Sequence, residues 1–116
     1  MTRDVVVVIG AGGIGQAIAR RQGFGRTVLL ADRNEEALAK AAEDLGSASY
    51  AVVQQKVDVA SRQSVQALSE AAAALGRVSQ VVNTAGLSPN MAPIETLLKV
   101  DLYGSAVVFE EFGKVI

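Results

Sequence analysis

The feature that most constrains this chain is the run Val5-Val6-Val7-Val8-Ile9-Gly10-Ala11-Gly12-Gly13-Ile14-Gly15. A row of β-branched residues ends in Gly-x-Gly-x-x-Gly, and Ile14, Ala17, Ile18 and Arg21 follow at helical spacing. The pattern predicts a strand, a tight turn and a helix whose N-terminus is built to hold a pyrophosphate. Gly10 lets the chain turn sharply off the strand. Gly12 lacks a Cβ, so a phosphate can approach the backbone. Gly15 lets the helix lie close to the sheet. The free N–H groups and the positive dipole end of that helix then face an anion. A glycine-rich turn alone is a weak signal, and context sharpens this one. Thr27-Val28-Leu29-Leu30-Ala31 reads as a second buried strand with Asp32 at its carboxyl end. That acid lies about 20 residues past the glycines, where a ribose-binding carboxylate belongs.

The remainder alternates in the same way. The first strand is expected over Asp4–Ile9, a helix over Gly13–Gln22, the second strand over Thr27–Ala31, a third over Ser49–Val57 and a fourth over Val78–Asn83. Asn34 is the expected N-cap of a second helix, with Glu35 and Glu36 in its first turn, Leu38, Ala41 and Leu45 as its apolar stripe and Gly46 as its C′ residue. Ser61 should cap a third helix that turns Val65, Leu68, Ala72 and Leu75 towards the sheet and ends at Gly76. A loop over Thr84–Pro93 leads to a last helix from about Ile94. Strands separated by helices imply crossover connections and a parallel sheet, here of Rossmann type with order 3-2-1-4. In such an α/β doubly wound sheet the ligand crevice lies at the carboxyl ends of strands one and four, where the winding reverses.

Composition narrows the chemistry. The 116 residues suit one domain, half of them are hydrophobic, and the net charge of −1 comes from 11 basic and 12 acidic side chains. That balance gives no electrostatic case for nucleic acid or an anionic membrane as partner. Cysteine and histidine are both absent, so no metal centre built on those ligands and no Cys- or His-dependent nucleophile is available in this chain. The amino end lacks the layout of a secretion signal and no apolar run reaches membrane-spanning length, so a cytoplasmic location is expected.

Further motifs resemble the short-chain dehydrogenase/reductase family. Val81-Val82-Asn83-Thr84-Ala85-Gly86 is similar to that family's Asn-Asn-Ala-Gly element, with Thr84 in place of the second Asn. Val57-Asp58-Val59 resembles its adenine-contacting segment, and Val100-Asp101-Leu102-Tyr103-Gly104 its Val-Asn-Leu-x-Gly segment. The resemblance covers the whole chain but only the first half of a typical member. It implies a nucleotide-binding role for Gly10, Gly12, Gly15, Asp32, Asp58, Asn83, Ala85 and Gly86, with Gly13, Ile14, Arg33 and Val59 completing the set around an NAD cofactor. It also implies a parent enzyme that moves hydride between nicotinamide and a small alcohol or ketone substrate. The departures are specific. The family's Thr-Gly-x-x-x-Gly-x-Gly loop is one residue shorter here, and Ile9 replaces its Thr. Asp101 stands where the family has an Asn of its proton relay. The family's Ser and Tyr-x-x-x-Lys fall beyond this region, and neither Tyr50 nor Tyr103 has a Lys four residues later. The chain by itself is therefore expected to bind cofactor without turnover.

Several residues admit a second reading. Asp58 also reads as a turn or cap residue, Asp32 as turn chemistry with Asn34, and Asn83 as a partner for backbone at a strand end. Arg33 could pair with a 2′-phosphate, whereas Asp32 would repel one. The chain could also be a non-catalytic nucleotide-binding or dimerisation module. A methyltransferase shares the glycine turn and the acid, but not the Asn-Thr-Ala-Gly or Val-Asp-Leu-Tyr-Gly elements. Finally, Leu97, Leu98, Val100, Leu102, Val107, Val108, Phe109 and Phe112 surround the last helix with apolar groups. Such a helix expects burial on all sides, by further polypeptide or by a second subunit over Leu97–Phe112, beside a fourth strand that would otherwise be a bare edge.

Overall fold

A computed structural model describes residues 3–84 and 104–115. Among them the order is β1 (Val5–Ile9), α1 (Gly13–Gln22), β2 (Thr27–Asp32), α2 (Glu35–Ser47), β3 (Ala51–Lys56), α3 (Arg62–Leu75), β4 (Val78–Asn83) and, after the undescribed stretch, α4 (Ser105–Gly113). The strands form one parallel sheet of order β3-β2-β1-β4, the order expected from the strand–helix alternation. The described helices are all too short or too polar to cross a membrane.

β1 is the centre of the molecule because its side chains are apolar on both faces. Val5, Val7 and Ile9 point into a cluster with Leu29, Val65, Leu68, Val108 and Phe112. Val6 and Val8 point the other way, against Ala19, Leu30, Leu38, Ala41 and Leu45. All five β1 residues are fully buried. Burying a Val or Ile side chain contributes about 1.5–3 kcal/mol, so the strand is pinned between two helical layers. α1 and α2 cover one face, and α3 and α4 the other.

The pairing of β1 with β4 contains an irregularity. Val5 lies opposite Val78, but Val6 lies opposite Gln80, so Ser79 is an extra residue in β4. Its hydroxyl donates to the Val5 carbonyl at 3.3 Å. This bulge advances β4 by one residue and sets Asn83 opposite Ile9, at the strand ends where the site begins.

The helix ends follow local chemistry, with one correction. Asn34 Oδ1 accepts the N–H groups of Glu36 and Ala37 at 3.0 and 3.1 Å, as a cap should. Ser61 Oγ accepts the Ser64 N–H at 3.3 Å. Gly46, expected as the residue after α2, instead lies inside its last turn. The Tyr50 N–H reaches the Leu45 carbonyl at 3.1 Å and the Ser49 N–H reaches Gly46 at 3.0 Å. That paired closure puts Ser49, at φ 71°, in the left-handed position usually given to glycine. The helix runs on so that the Tyr50 ring meets the core and its hydroxyl donates to the Arg20 carbonyl at 2.8 Å.

α1 packs through its smallest residues. Its buried residues are Gly15 and Ala19, so the close approach to the sheet expected at Gly15 is present. Ile14 is 73% exposed. α1 approaches the sheet too closely for large side chains. A Cβ on Gly15 would fall on the Gly10 carbonyl oxygen, and one on Gly23, just past the helix, would lie 2.5 Å from Val28.

Within the described residues α4 buries one face and leaves an aromatic residue on the other. Val107, Val108, Glu111 and Phe112 are buried, while Phe109 is 67% exposed. The acid on the buried face is paired, which is how a carboxylate can be accommodated there.

Candidate functional site

The carboxyl ends of the strands are tied together by backbone bonds. The Gly10 N–H donates to the Ala31 carbonyl at 2.7 Å, and the Val57 N–H to the Asp32 carbonyl at 3.0 Å. Gly10 then turns the chain off the sheet at φ 117°, a conformation that favours glycine. On the other flank Thr84 gives both its N–H and its hydroxyl to the Ile9 carbonyl, at 2.8 and 2.9 Å. The Thr that replaces the family's second Asn thus locks β4 to the start of the glycine loop. Nothing in the sequence pattern pointed to that contact. Gln16 also braces the loop, donating from Nε2 to the Ala11 carbonyl at 2.9 Å.

The amino end of α1 lacks the side-chain cap that opens α2 and α3: Gly12 occupies the cap position with no side-chain hydrogen bond to the helix. Unlike α2, its first turn carries no acid. A Cβ on Gly12 or Gly13 would meet nothing within 4 Å. Gly12 has φ −76° and ψ −175°, extended backbone that any residue adopts. The open space outside the turn, not backbone strain, is therefore what a larger residue would change.

Asp32 stands at the end of β2, half-buried, facing this loop. Oδ2 accepts the Ala11 N–H at 2.7 Å and Oδ1 the Asn34 N–H at 2.8 Å. The turn chemistry considered for Asp32 with Asn34 is present, together with a bond to the glycine loop that sequence spacing does not reveal. Arg33 is exposed beside it.

After β3, Asp58 forms a turn of its own. Its Oδ1 accepts the Ala60 N–H at 3.0 Å, and its N–H donates to Ser64 Oγ at 2.8 Å. The next residue, Val59, is buried and packs against the start of α4: a Cβ on Gly104 would lie 2.9 Å from the Val59 side chain. Asn83 Nδ2 donates to Ser105 Oγ at 3.3 Å, at the first residue of α4. That bond ties the end of β4 to the last helix.

Gly10, Gly12, Gly13, Ile14, Gly15, Asp32, Asp58, Val59 and Asn83 therefore gather at one edge of the sheet. Ala85, Gly86 and Asp101 lie outside the described residues, as does Tyr103.

α4 is held at its far end by charge. Arg62 Nη1 lies 2.8 Å from Glu110 Oε2 and 3.0 Å from Glu111 Oε1, and Lys114 Nζ lies 3.1 Å from Glu111 Oε2. Hydrogen bonding from Lys114 holds the Glu111 carboxyl below its ordinary range; burial opposes this, and Arg62 reinforces it. Reading the helix as uniformly apolar missed this cluster. The spacing of Glu111 and Lys114, three residues apart, was the available signal.

Comparisons with known proteins agree with this geometry. A family model described as short chain dehydrogenase matches residues 4–108. A short-chain dehydrogenase/reductase, bsc3, from Alternaria brassicicola is 44% identical over 116 residues, covering 100% of this chain and 42% of that protein. A crystal structure of a short-chain dehydrogenase/reductase from Burkholderia phymatum in complex with NAD superposes with a TM-score of 0.86 at 31% identity, covering 99% of this chain and 44% of that one. An actinorhodin polyketide ketoreductase variant with NADPH gives a TM-score of 0.88 at 30% identity, covering 97% of this chain and 47% of that one. The chain thus spans less than half the length of these relatives.

Proposed function

The chain belongs to the short-chain dehydrogenase family, and from that premise we propose that it is the NAD-binding part of an oxidoreductase that moves hydride between nicotinamide and an alcohol or ketone. The observation that carries this reading is the amino end of α1. It combines an uncapped helix start, open space at Gly12 and Gly13, and a turn that only Gly10 readily makes. Helix N–H groups left without side-chain partners suit a diphosphate, both by hydrogen bonding and by the positive end of the dipole. The residues present fit the group. Gly10, Gly12, Gly13 and Gly15 would hold the diphosphate, with exposed Ile14 offering an apolar contact. Asp32 would accept from the adenosine ribose hydroxyls, and Asp58 and Val59 would border the adenine. Asn83, Ala85 and Gly86 would line the far side.

When bound, the nicotinamide supplies the hydride chemistry; the chain supplies binding, orientation and exclusion of water. Asp101 is a doubtful substitute for the family's relay Asn, because an ionisable carboxylate is not equivalent to an amide. The parent's substrate, a cytoplasmic location and pairing of subunits through the last helix belong to the same proposal. The exposed Phe109 supports the pairing.

We favour NAD over NADP because the Asp32 carboxylate follows β2 directly and would repel a 2′-phosphate, although Arg33 beside it could attract one. Among the relatives, one structure holds NAD and another NADPH. Fluorescence titration tests the assignment. NADH should bind more tightly than NADPH, and Asp32→Ala should narrow the difference. Tighter binding of NADPH by the unaltered protein would reject NAD as the cofactor.

A further inference from the structure

We propose that Asp32 is a positioning residue for the phosphate-binding loop, with its carboxylate fixing the peptide of Ala11 in addition to meeting the ribose. The proposal deepens the dinucleotide reading above and rests on it for the ligand.

The β1–β2 ladder supplies the reason. Ile9 is paired with Ala31, and the Gly10 N–H still finds the Ala31 carbonyl at 2.7 Å. Gly10 then swings the chain away at φ 117°. The next donor, the Ala11 N–H, takes its bond from Asp32 Oδ2 at 2.7 Å. The side chain thus extends the row of acceptors by one place beyond the backbone of β2. Ala11 is 3% exposed, so water is a poor substitute there. A buried donor left without a partner costs about 1–3 kcal/mol. The Ala11 peptide is gripped from its other side as well, since its carbonyl accepts Gln16 Nε2 at 2.9 Å. The residue immediately before Gly12 is therefore fixed at both its N–H and its C=O. The second carboxylate oxygen is held by the Asn34 N–H at 2.8 Å, which orients the group from outside the loop. Each carboxylate oxygen has a further lone pair, so both bonds leave capacity for ribose hydroxyls.

Charge makes the role separable from simple ligand attraction. A carboxylate beside a diphosphate is repulsive, so removing its charge should by itself favour the nucleotide. Loss of affinity for a ligand without ribose hydroxyls would run against that trend, and would report the loop.

The test uses Asp32→Asn and two readouts. The amide keeps the size of the side chain but accepts through one oxygen only. It can preserve the local turn to the Asn34 N–H, and then presents its NH2 to Ala11. The first readout is amide exchange by NMR. The Ala11 N–H should exchange about tenfold faster or more in the variant, as expected for loss of one charge-assisted bond, with Asn34 and the β1 amides unchanged. The second is calorimetric titration with an NADH analogue whose adenosine ribose lacks both hydroxyls. Its affinity should fall about tenfold in the variant. Unchanged Ala11 exchange, or analogue affinity that is unchanged or improved, would overturn the proposal. If the unaltered protein binds neither NADH nor the analogue, the dinucleotide reading fails. The exchange readout then decides alone whether Asp32 holds the loop.

Discussion

Two helices on the same face of the sheet begin in opposite ways. α2 starts at Asn34, whose side chain takes two of the free N–H groups, and carries Glu35 and Glu36 in its first turn. α1 starts at Gly12, with no side-chain cap and no acid. Both need their first N–H groups satisfied. α2 meets that need within its own sequence, with an acceptor and two negative charges at the positive end of the dipole. α1 leaves it unmet by any cap, on the side where the strands of the sheet end. The difference separates a helix start closed by its own side chains from one left open, where we propose that the diphosphate binds.

The comparison can be broken most severely at Gly15. An added methyl would fall on the Gly10 carbonyl, pushing α1 off the sheet. Gly15→Ala should lower stability by about 3 kcal/mol, the upper range for overpacking, and urea denaturation reads it directly. At the other helix start, Asn34→Ala removes the cap of α2. It should cost about 1 kcal/mol by the same measurement, without changing the affinity of the glycine loop for nucleotide by more than its effect on folding. The smallest effect is expected from Glu36→Gln, which removes one charge from the first turn of α2. A loss of about 0.3–0.5 kcal/mol at low salt, fading as salt is added, would match a helix-dipole contribution. Equal losses at low and high salt would show that charge at that helix start is not what stabilises it.

Much of this architecture is legible in sequence because apolar β1 and its glycines obey two independent constraints at once. Burial on both faces demands a continuous run of Val and Ile, and the turn demands Gly10. Asn34 and Ser61 announce their helices for the same kind of reason, since a cap is a local bond between near neighbours. What escaped the sequence reading depends on distance in the chain. The close approach of α1 was legible at Gly15, but Ala19 as its companion on the buried face was not singled out, because a small residue carries no apolar signal of its own. Gly46 looked like a helix end, yet the position was settled by where Tyr50 could reach the core. The bonds of Thr84 to Ile9 and of Asp32 to Ala11 join residues 75 and 21 positions apart. At Glu111 the Lys114 contact was within local reach, but the bond to Arg62 spans 49 positions.

If the uncapped start of α1 receives the diphosphate of a nicotinamide dinucleotide, Gly12→Val should block it. Backbone geometry at Gly12 is open to any residue and a Cβ there meets nothing within 4 Å, so the variant should fold with stability changed by no more than about 0.5 kcal/mol. The new side chain would occupy the space that the phosphates need. Calorimetric titration with NADH should give clear binding by the unaltered protein and none measurable by the folded variant. Equal NADH affinity in the two proteins would contradict the account.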